Sequence, residues 1–316
     1  MVLVVFFSAV FCFLVRLLDP SYCQRHLDRP GNSRKPRRYL PKEKFPLLHK
    51  AVVEACDALD GVKDGVLENP KRCHFDPKAV QCKGANGPDC LTAAQLEAAR
   101  KVYSGPKNPR TGEQISPGLE PGSENGWNFF AGGPGPDPPI VASHFKYLVF
   151  QNPSWDYRSL NFDGDVALAD KLDRGELNAI DPNLKEFFAQ GGKLFLYHGW
   201  NDPAIAPHNA IKYYNSVVAV MGGSIKVTNS MRLFMAPGMN HCGGGDGPSE
   251  FDSVEALEQW VEKGKAPDRI VASHFPPGAR HDKPDRTRPL CPYPQVAKYT
   301  GSGSTDEAAN FVCAKE

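Results

Sequence analysis

The chain has 316 residues, a formal net charge of +1 at pH 7, 41% hydrophobic residues and 23% charged residues. This balance is typical of a globular protein. It gives no excess of basic residues with which to hold a nucleic acid, so we expect no nucleic-acid partner. The 29 glycines and 29 prolines indicate many loops and turns.

The first 38 residues differ in composition from the rest. An apolar run covers residues 1–15, interrupted by Ser8, and a basic stretch with prolines follows as far as Arg38. Fifteen residues are too few to span a bilayer comfortably. The run also lacks the preceding basic residue and the small-residue cleavage site of a signal peptide. Three interpretations of residues 1–38 stay open: a signal peptide, a membrane anchor, and an incorrect or truncated start. These residues are left unassigned. No stable membrane association is expected.

Residues 39–175 are predicted to form a separate cap, or lid, because their helical patterns do not alternate with strand patterns. Helices are expected over residues 46–59, 92–102, 143–151 and 165–171. Thr92 and Gln95 have the spacing of a capping box at the start of the second helix. The stretch 105–139 is rich in glycine and proline and is predicted to be mostly irregular.

Residues 176–316 show strands alternating with helices. The runs KLFLYH (193–198) and MRLFMA (231–236) are continuously apolar, as buried parallel strands are. Helices are predicted over residues 210–221 and 253–263. The apolar face of the last helix is expected to consist of Val254, Leu257, Trp260 and Val261. This order of elements predicts a doubly wound α/β unit.

The chain has nine cysteines, several of which bracket short stretches, and it has no CxxC pair of the kind that zinc sites use. We predict three local disulfides, with scattered buried thiols as the alternative. The predicted pairs are Cys56 with Cys73, Cys82 with Cys90, and Cys291 with Cys313. Because disulfides form in oxidising compartments, the protein is expected to be secreted or periplasmic.

Two polar residues follow the two predicted strands. Asp202 lies in HGWNDP after the first strand, and His241 lies in APGMNHCGGG after the second. Functional groups gather at the carboxyl ends of strands in open α/β sheets, and α/β hydrolases present the Asp and His of a Ser-Asp-His triad in this chain order. A helix N-cap for Asp202 and a polar loop role for His241 are the alternatives. His198 and Trp200 could line the same site or only pack.

Four strings, CDALDGVKDGV, GGKLFLYHGWNDP, RLFMAPGMNHCGGG and RTRPLCPYP, resemble the tannase and feruloyl esterase family over about residues 39–313. The resemblance implies an α/β-hydrolase fold with an inserted cap. It also implies hydrolysis of small-molecule esters of aromatic, phenolic acids such as gallate or ferulate. Asp202 and His241 match the family's catalytic Asp and His. Cys242 matches a cysteine that, in the family, forms a disulfide with the cysteine before the catalytic Ser.

The nucleophile has no match. Ser123 and Ser224 come nearest to G-x-S-x-G, and each lacks one flanking glycine. In the family the catalytic Ser lies upstream of the CDALDGV string. The expectation is therefore the C-terminal portion of an esterase, an incomplete α/β-hydrolase fold that is inactive alone and has Cys242 unpaired. The alternative function is a catalytically inactive calcium-binding remnant of such an esterase.

The string DALDGVKDGV holds three carboxylates and two glycines within ten residues. Calcium prefers carboxylate and backbone carbonyl oxygens, although this spacing is not that of an EF-hand. A solvated Asp/Gly turn is the alternative. The resemblance implies that the loop binds one structural Ca²⁺ through the side chains of Asp57, Asp60 and Asp64 and the carbonyls of Val62 and Val66.

Overall fold

The computed structural model describes residues 2–5, 40–127, 143–278 and 282–316. Apart from the short strand at residues 2–5, the unassigned N-terminal segment lies outside the described residues, with Cys12 and Cys23. Residues 128–139 of the predicted irregular stretch also lie outside them. Among the described residues, none of the helices combines the length and the apolar character needed to cross a membrane.

The predicted cap contains the expected helices. They are α1 (Phe45–Cys56), α2 (Ala93–Ser104), a π-helix (His144–Val149) and α3 (Gly164–Asp173). The capping box is confirmed, because Thr92 Oγ1 accepts from Gln95 N and Gln95 Oε1 accepts from Thr92 N. The third predicted helix is a π-helix rather than an α-helix. Aromatic side chains such as Trp127 and Phe145 fill the core between these helices, which also takes in Ala204 and Ile205. The boundary at residue 175 stays a prediction.

A three-stranded parallel sheet forms the second layer. Its order is β1-β2-β3, with β1 at Val2–Val5, β2 at Lys193–Gly199 and β3 at Met231–Ala236. Both predicted strands are confirmed, and β2 extends one residue further. The strand β1 was not predicted, because the apolar run at residues 1–15 was left without a structure. It pairs with the free edge of β2, so that edge is not open as the two predicted strands alone implied.

Helices cover both faces of the sheet. The remaining α-helices among the described residues, apart from short 3-10 helices, are α4 (Lys185–Ala189), α5 (His208–Val220), α6 (Ser224–Val227) and α7 (Ser253–Lys263). Alternate strand residues point to opposite faces. Leu194 and Leu233 pack with α5, whereas Phe195 and Phe234 pack with Trp260 of α7. The predicted doubly wound α/β arrangement is confirmed.

The C-terminal region adds two antiparallel hairpins that the sequence analysis did not predict. They pair β4 (Ile270–His274) with β5 (Arg286–Leu290), and β6 (Gln295–Tyr299) with β7 (Phe311–Lys315). The three predicted disulfides are confirmed. Cys291–Cys313 joins the end of β5 to β7, and Cys56–Cys73 closes the loop that holds the predicted calcium residues. Cys242 is an exposed free thiol in the described structure, as expected.

Candidate functional site

The loops after β2 and β3 are held together by a close approach of their backbones. A Cβ on Gly199 would lie 2.2 Å from Met239 O, so only glycine fits at the end of β2. The amide of Asn201 then donates to the same carbonyl over 3.0 Å. This contact brings Asp202, on the first loop, to the side of His241, on the second.

The two predicted triad residues are hydrogen-bonded. His241 Nδ1 lies 2.9 Å from Asp202 Oδ2. The other carboxylate oxygen accepts from the amides of Ala204 and Ile205, so Asp202 caps a local turn and not a helix. Burial would raise the pKa of Asp202, but hydrogen bonds from His198 and His241 outweigh it and hold that pKa well below its usual range. Asp202 is therefore a buried carboxylate that stays ionised.

His241 has the tautomer that a general base needs. Because a carboxylate only accepts hydrogen bonds, Nδ1 carries a hydrogen, and Nε2 of the neutral ring has a free lone pair. The hydrogen bond to Asp202 raises the pKa of His241, and partial burial offsets only part of this effect. The ring is half exposed, and among the described residues Nε2 has no hydrogen-bond partner. The free nitrogen can accept a proton from a group placed beside it.

Neither serine that came nearest to a nucleophile motif is presented to His241. Ser123 is 1% exposed, and its hydroxyl donates to Glu120 O and accepts from Trp127 Nε1. Ser224 begins the short helix α6. Within the described ranges, the structure offers no serine hydroxyl bonded to the ring of His241.

A buried carboxylate that the sequence did not single out links the predicted cap to the Asp202 loop. Glu124 is fully buried and accepts hydrogen bonds from Tyr103 Oη, Gly122 N and His49 Nδ1. Burial would lower the pKa of His49, but the Glu124 carboxylate outweighs it and raises that pKa. Asn201 Nδ2 donates to the carbonyl of Gly122 over 2.8 Å. No local motif marks this network, because its partners lie far apart in the sequence.

The predicted calcium residues only partly converge. A small cavity is lined by carboxylate, valine and arginine residues that include Asp60, Val62, Asp64, Val66, Glu68 and Arg288. Glu68 and Arg288 were not predicted. The carboxylate of Asp57 instead accepts from the amides of Asp64 and Gly65. The guanidinium of Arg288 donates to Asp64, and Arg286 approaches the same oxygen at 3.6 Å.

The charges of this cluster are out of balance. Burial, with repulsion from Asp64 and Asp57, raises the pKa of Asp60 to about 6. Burial also raises the pKa of Glu68 to about 8. In the described part of the chain, no group of three or more histidine, cysteine or carboxylate side chains is arranged so that it could hold a metal ion. The donor atoms are hard oxygens of the kind that Ca²⁺ takes, but Arg288 lies against Asp64 as their present counter-ion.

A profile of the family "Tannase and feruloyl esterase" matches residues 26–314, which begins earlier than the predicted start near residue 39. The chain is 38% identical to an uncharacterized esterase of Xanthomonas campestris, over 88% of this chain and 56% of that protein. It is 35% identical to the mono(2-hydroxyethyl) terephthalate hydrolase of Piscinibacter sakaiensis, over 85% of this chain and 51% of that enzyme.

The fold agrees with a solved structure as well. Feruloyl esterase B from Aspergillus oryzae superposes with a TM-score of 0.81 at 26% identity, over 98% of this chain and 61% of that one. This similarity confirms an α/β-hydrolase type of fold. The chain spans about half the length of the curated relatives it matches.

Proposed function

This chain belongs to the tannase and feruloyl esterase family, and from that membership we propose that it supplies the Asp and His of a Ser-Asp-His triad to a carboxylic ester hydrolase. The proposed substrates are small-molecule esters of aromatic acids such as ferulate or gallate. Two names support this class: the family is named for feruloyl esters and tannins, and the Piscinibacter sakaiensis relative for an ester of terephthalate, also an aromatic acid.

One observation carries the proposal. His241 Nδ1 lies 2.9 Å from a buried Asp202 oxygen, at the carboxyl ends of two adjacent parallel strands. The Asp fixes the imidazole in the tautomer whose Nε2 accepts a proton, and its negative charge stabilises the imidazolium that results. A solvated loop histidine would need neither the buried carboxylate nor this position.

The proposed reaction proceeds through an acyl-enzyme. As the Ser oxygen attacks the ester carbonyl, its proton passes to Nε2 of His241. The imidazolium then gives that proton to the oxygen of the leaving alcohol while the ester C–O bond breaks. A water molecule repeats the two steps and releases the acid. Because no serine of the chain fits the motif, we propose that the nucleophile lies outside this chain and that the chain alone is inactive.

We further propose that the loop Asp57–Val66 holds one structural Ca²⁺. If all four were ionised, Asp57, Asp60, Asp64 and Glu68 would carry four negative charges, whereas the neighbouring Arg286 and Arg288 supply two positive charges; burial raises the pKa of Asp60 to about 6 and that of Glu68 to about 8. A divalent cation would balance the remaining charge of this largely buried cluster, because uncompensated buried charge is costly. The side chains of Asp57, Asp60 and Asp64 and the carbonyls of Val62 and Val66 would hold it. The ion would supply folding stability rather than catalysis.

The three disulfides support a further proposal, that the protein is secreted or periplasmic. Disulfides persist in oxidising compartments and are rare in the cytosol.

Two proteins test the proposed function. The 316-residue chain and a fusion of it to the part of the Xanthomonas campestris esterase that it does not match are treated with a fluorophosphonate probe and with methyl ferulate. We expect the chain alone to give neither labelling nor turnover, and the fusion to give both. Stoichiometric labelling of a serine within residues 40–316 of the chain alone would overturn the assignment of the nucleophile. A folded fusion that binds Ca²⁺ and hydrolyses no aromatic ester would favour the calcium-binding remnant.

A further inference from the structure

The carboxylate of Asp202 is surrounded by four donors, two at each oxygen. Oδ1 accepts from Ala204 N at 2.7 Å and from Ile205 N at 2.8 Å. Oδ2 lies 2.9 Å from His241 Nδ1 and 3.2 Å from His198 Nε2. A carboxylate has about four lone-pair positions, so this one is saturated. Two histidines therefore share the oxygen that faces the proposed catalytic ring.

The partners of Nε2 of His198 show that this nitrogen carries a hydrogen. Its Nε2 lies 3.2 Å from the Asp202 oxygen and 3.0 Å from the carbonyl oxygen of Ile205. Both partners are acceptors, so Nε2 must carry a hydrogen. The side chain is 5% exposed and comes from β2, in register with Met235 of β3.

No other group can take over this contact easily. Asp202 is 3% exposed, so water has little access to the oxygen that His198 contacts. Without His198, Oδ2 has only His241 as a partner among the described residues. The half-exposed ring of His241 would then be the only group that restrains the Asp202 carboxylate at Oδ2. The hydrogen bond from β2 fixes Oδ2 independently of His241.

We propose that His198 is a positioning residue, whose Nε2–H holds Oδ2 of Asp202 toward Nδ1 of His241. It acts through Asp202 and does not contact the reacting atoms. Its role in catalysis rests on the proposed function, but the contact itself can be measured without turnover. The signal is the Nδ1 proton of His241, which is protected from exchange with water only while the Asp202 oxygen is in place.

The experiment uses the full 316-residue chain labelled with ¹⁵N-histidine. The exchange rate of the His241 Nδ1 proton is measured by NMR in the wild type and in the variants His198→Leu, His198→Asn and His198→Gln. Leu has no donor, Asn has one that is too short to reach, and Gln has one near the position of Nε2. We expect exchange at least about tenfold faster in the Leu and Asn variants, because a hydrogen bond to a charged group is lost. The Gln variant should return to the wild-type rate.

His274→Leu is the matched control. That ring is also paired with a carboxylate, Asp285, but it belongs to β4 and has no contact with Asp202. If His198→Leu does not fold, the comparison of Asn with Gln decides the matter with two polar side chains. Wild-type exchange in the folded Asn variant, or equal acceleration in the Asn and Gln variants, would overturn the proposal. An inactive fusion in which these exchange rates change as expected would instead count against the proposed function alone.

Discussion

Replacing Asp202 with Asn keeps the shape of the side chain but reverses the polarity of one end. The amide oxygen can still accept from the amides of Ala204 and Ile205. The Nδ2 group then points toward His241 and His198, which are both donors in the wild type. At this position, where Asp202 is 3% exposed, His241 Nδ1–H loses its acceptor and His198 Nε2–H keeps only the Ile205 carbonyl oxygen.

The expected cost follows from these contacts. A hydrogen bond to a charged group contributes about 1.5–3 kcal/mol; the His241 bond is lost in full, whereas the His198 N–H is shared with the Ile205 carbonyl and adds only part of that amount. Removal of the buried charge relieves part of its desolvation penalty. We therefore expect Asp202→Asn to lower the free energy of unfolding by about 2–4 kcal/mol. The control, Asp285→Asn, affects a carboxylate that is 45% exposed beside His274 and should cost at most about 1 kcal/mol.

Denaturant unfolding at several pH values measures both the size of the stability loss and the direction of its pH dependence. The pKa of His241 is raised above 6.5 by Asp202. The stability that depends on the charge of His241 is therefore complete below pH 6.5 and is lost as the pH rises through the folded pKa, while the hydrogen bond from the neutral ring remains. In Asp202→Asn the pKa of His241 should fall, and this gain in stability on the acid side should disappear. A loss below about 1 kcal/mol together with an unchanged pH dependence would refute the reasoning.

Three further predictions concern the rest of the molecule. Ca²⁺ at about 100 times its dissociation constant should stabilise the chain by about 2.7 kcal/mol, as measured by calorimetry. The stabilisation should be smaller in Asp60→Asn and unchanged in the surface variant Asp76→Asn. No stabilisation of the wild type by Ca²⁺ would contradict the site. Cys291→Ser should lower the free energy of unfolding by about 3 kcal/mol through loss of a 22-residue cross-link, whereas a peptide map that showed Cys242 bridged to Cys291 would contradict the pairing. Glu124→Leu should cost about 3–5 kcal/mol in denaturant unfolding, because its buried partners lose their acceptor, and a cost below about 1 kcal/mol would show that the network contributes little.

The sequence predicted those helices and strands that are determined by residues close together in the chain. The run KLFLYH predicted β2, because a strand that is buried on both faces is apolar throughout. Thr92 and Gln95 gave the start of α2 because a capping box is complete within four residues. The helix α7 was predicted at the correct position, but too many of its residues were predicted to be buried. Val254 is 60% exposed and Val261 is 44% exposed, so the contact with the sheet is narrower than four apolar residues suggest.

The C-terminal hairpins were missed because their causes are distant. Strand β5 reads RTRPL, which has no apolar alternation, and Arg288 is buried there against distant partners that include Asp64, 224 positions away, and the ring of Phe311. The contact of His198 with Asp202 could not be predicted from the sequence either. The sequence left His198 between lining the site and packing, and only the turn after β2 folds Asp202 back beneath it.

The most direct test of the account compares two histidines in the fusion to the Xanthomonas campestris segment. His241 and His208 are each backed by a carboxylate, Asp202 and Glu120 respectively, but only His241 follows a strand in the position of a general base. With methyl ferulate as substrate, we predict that His241→Ala lowers kcat by at least about 10⁴-fold and that His208→Ala changes it by less than about tenfold. Equal losses in the two folded variants, or near wild-type turnover in His241→Ala, would contradict the assignment of His241 as the catalytic base.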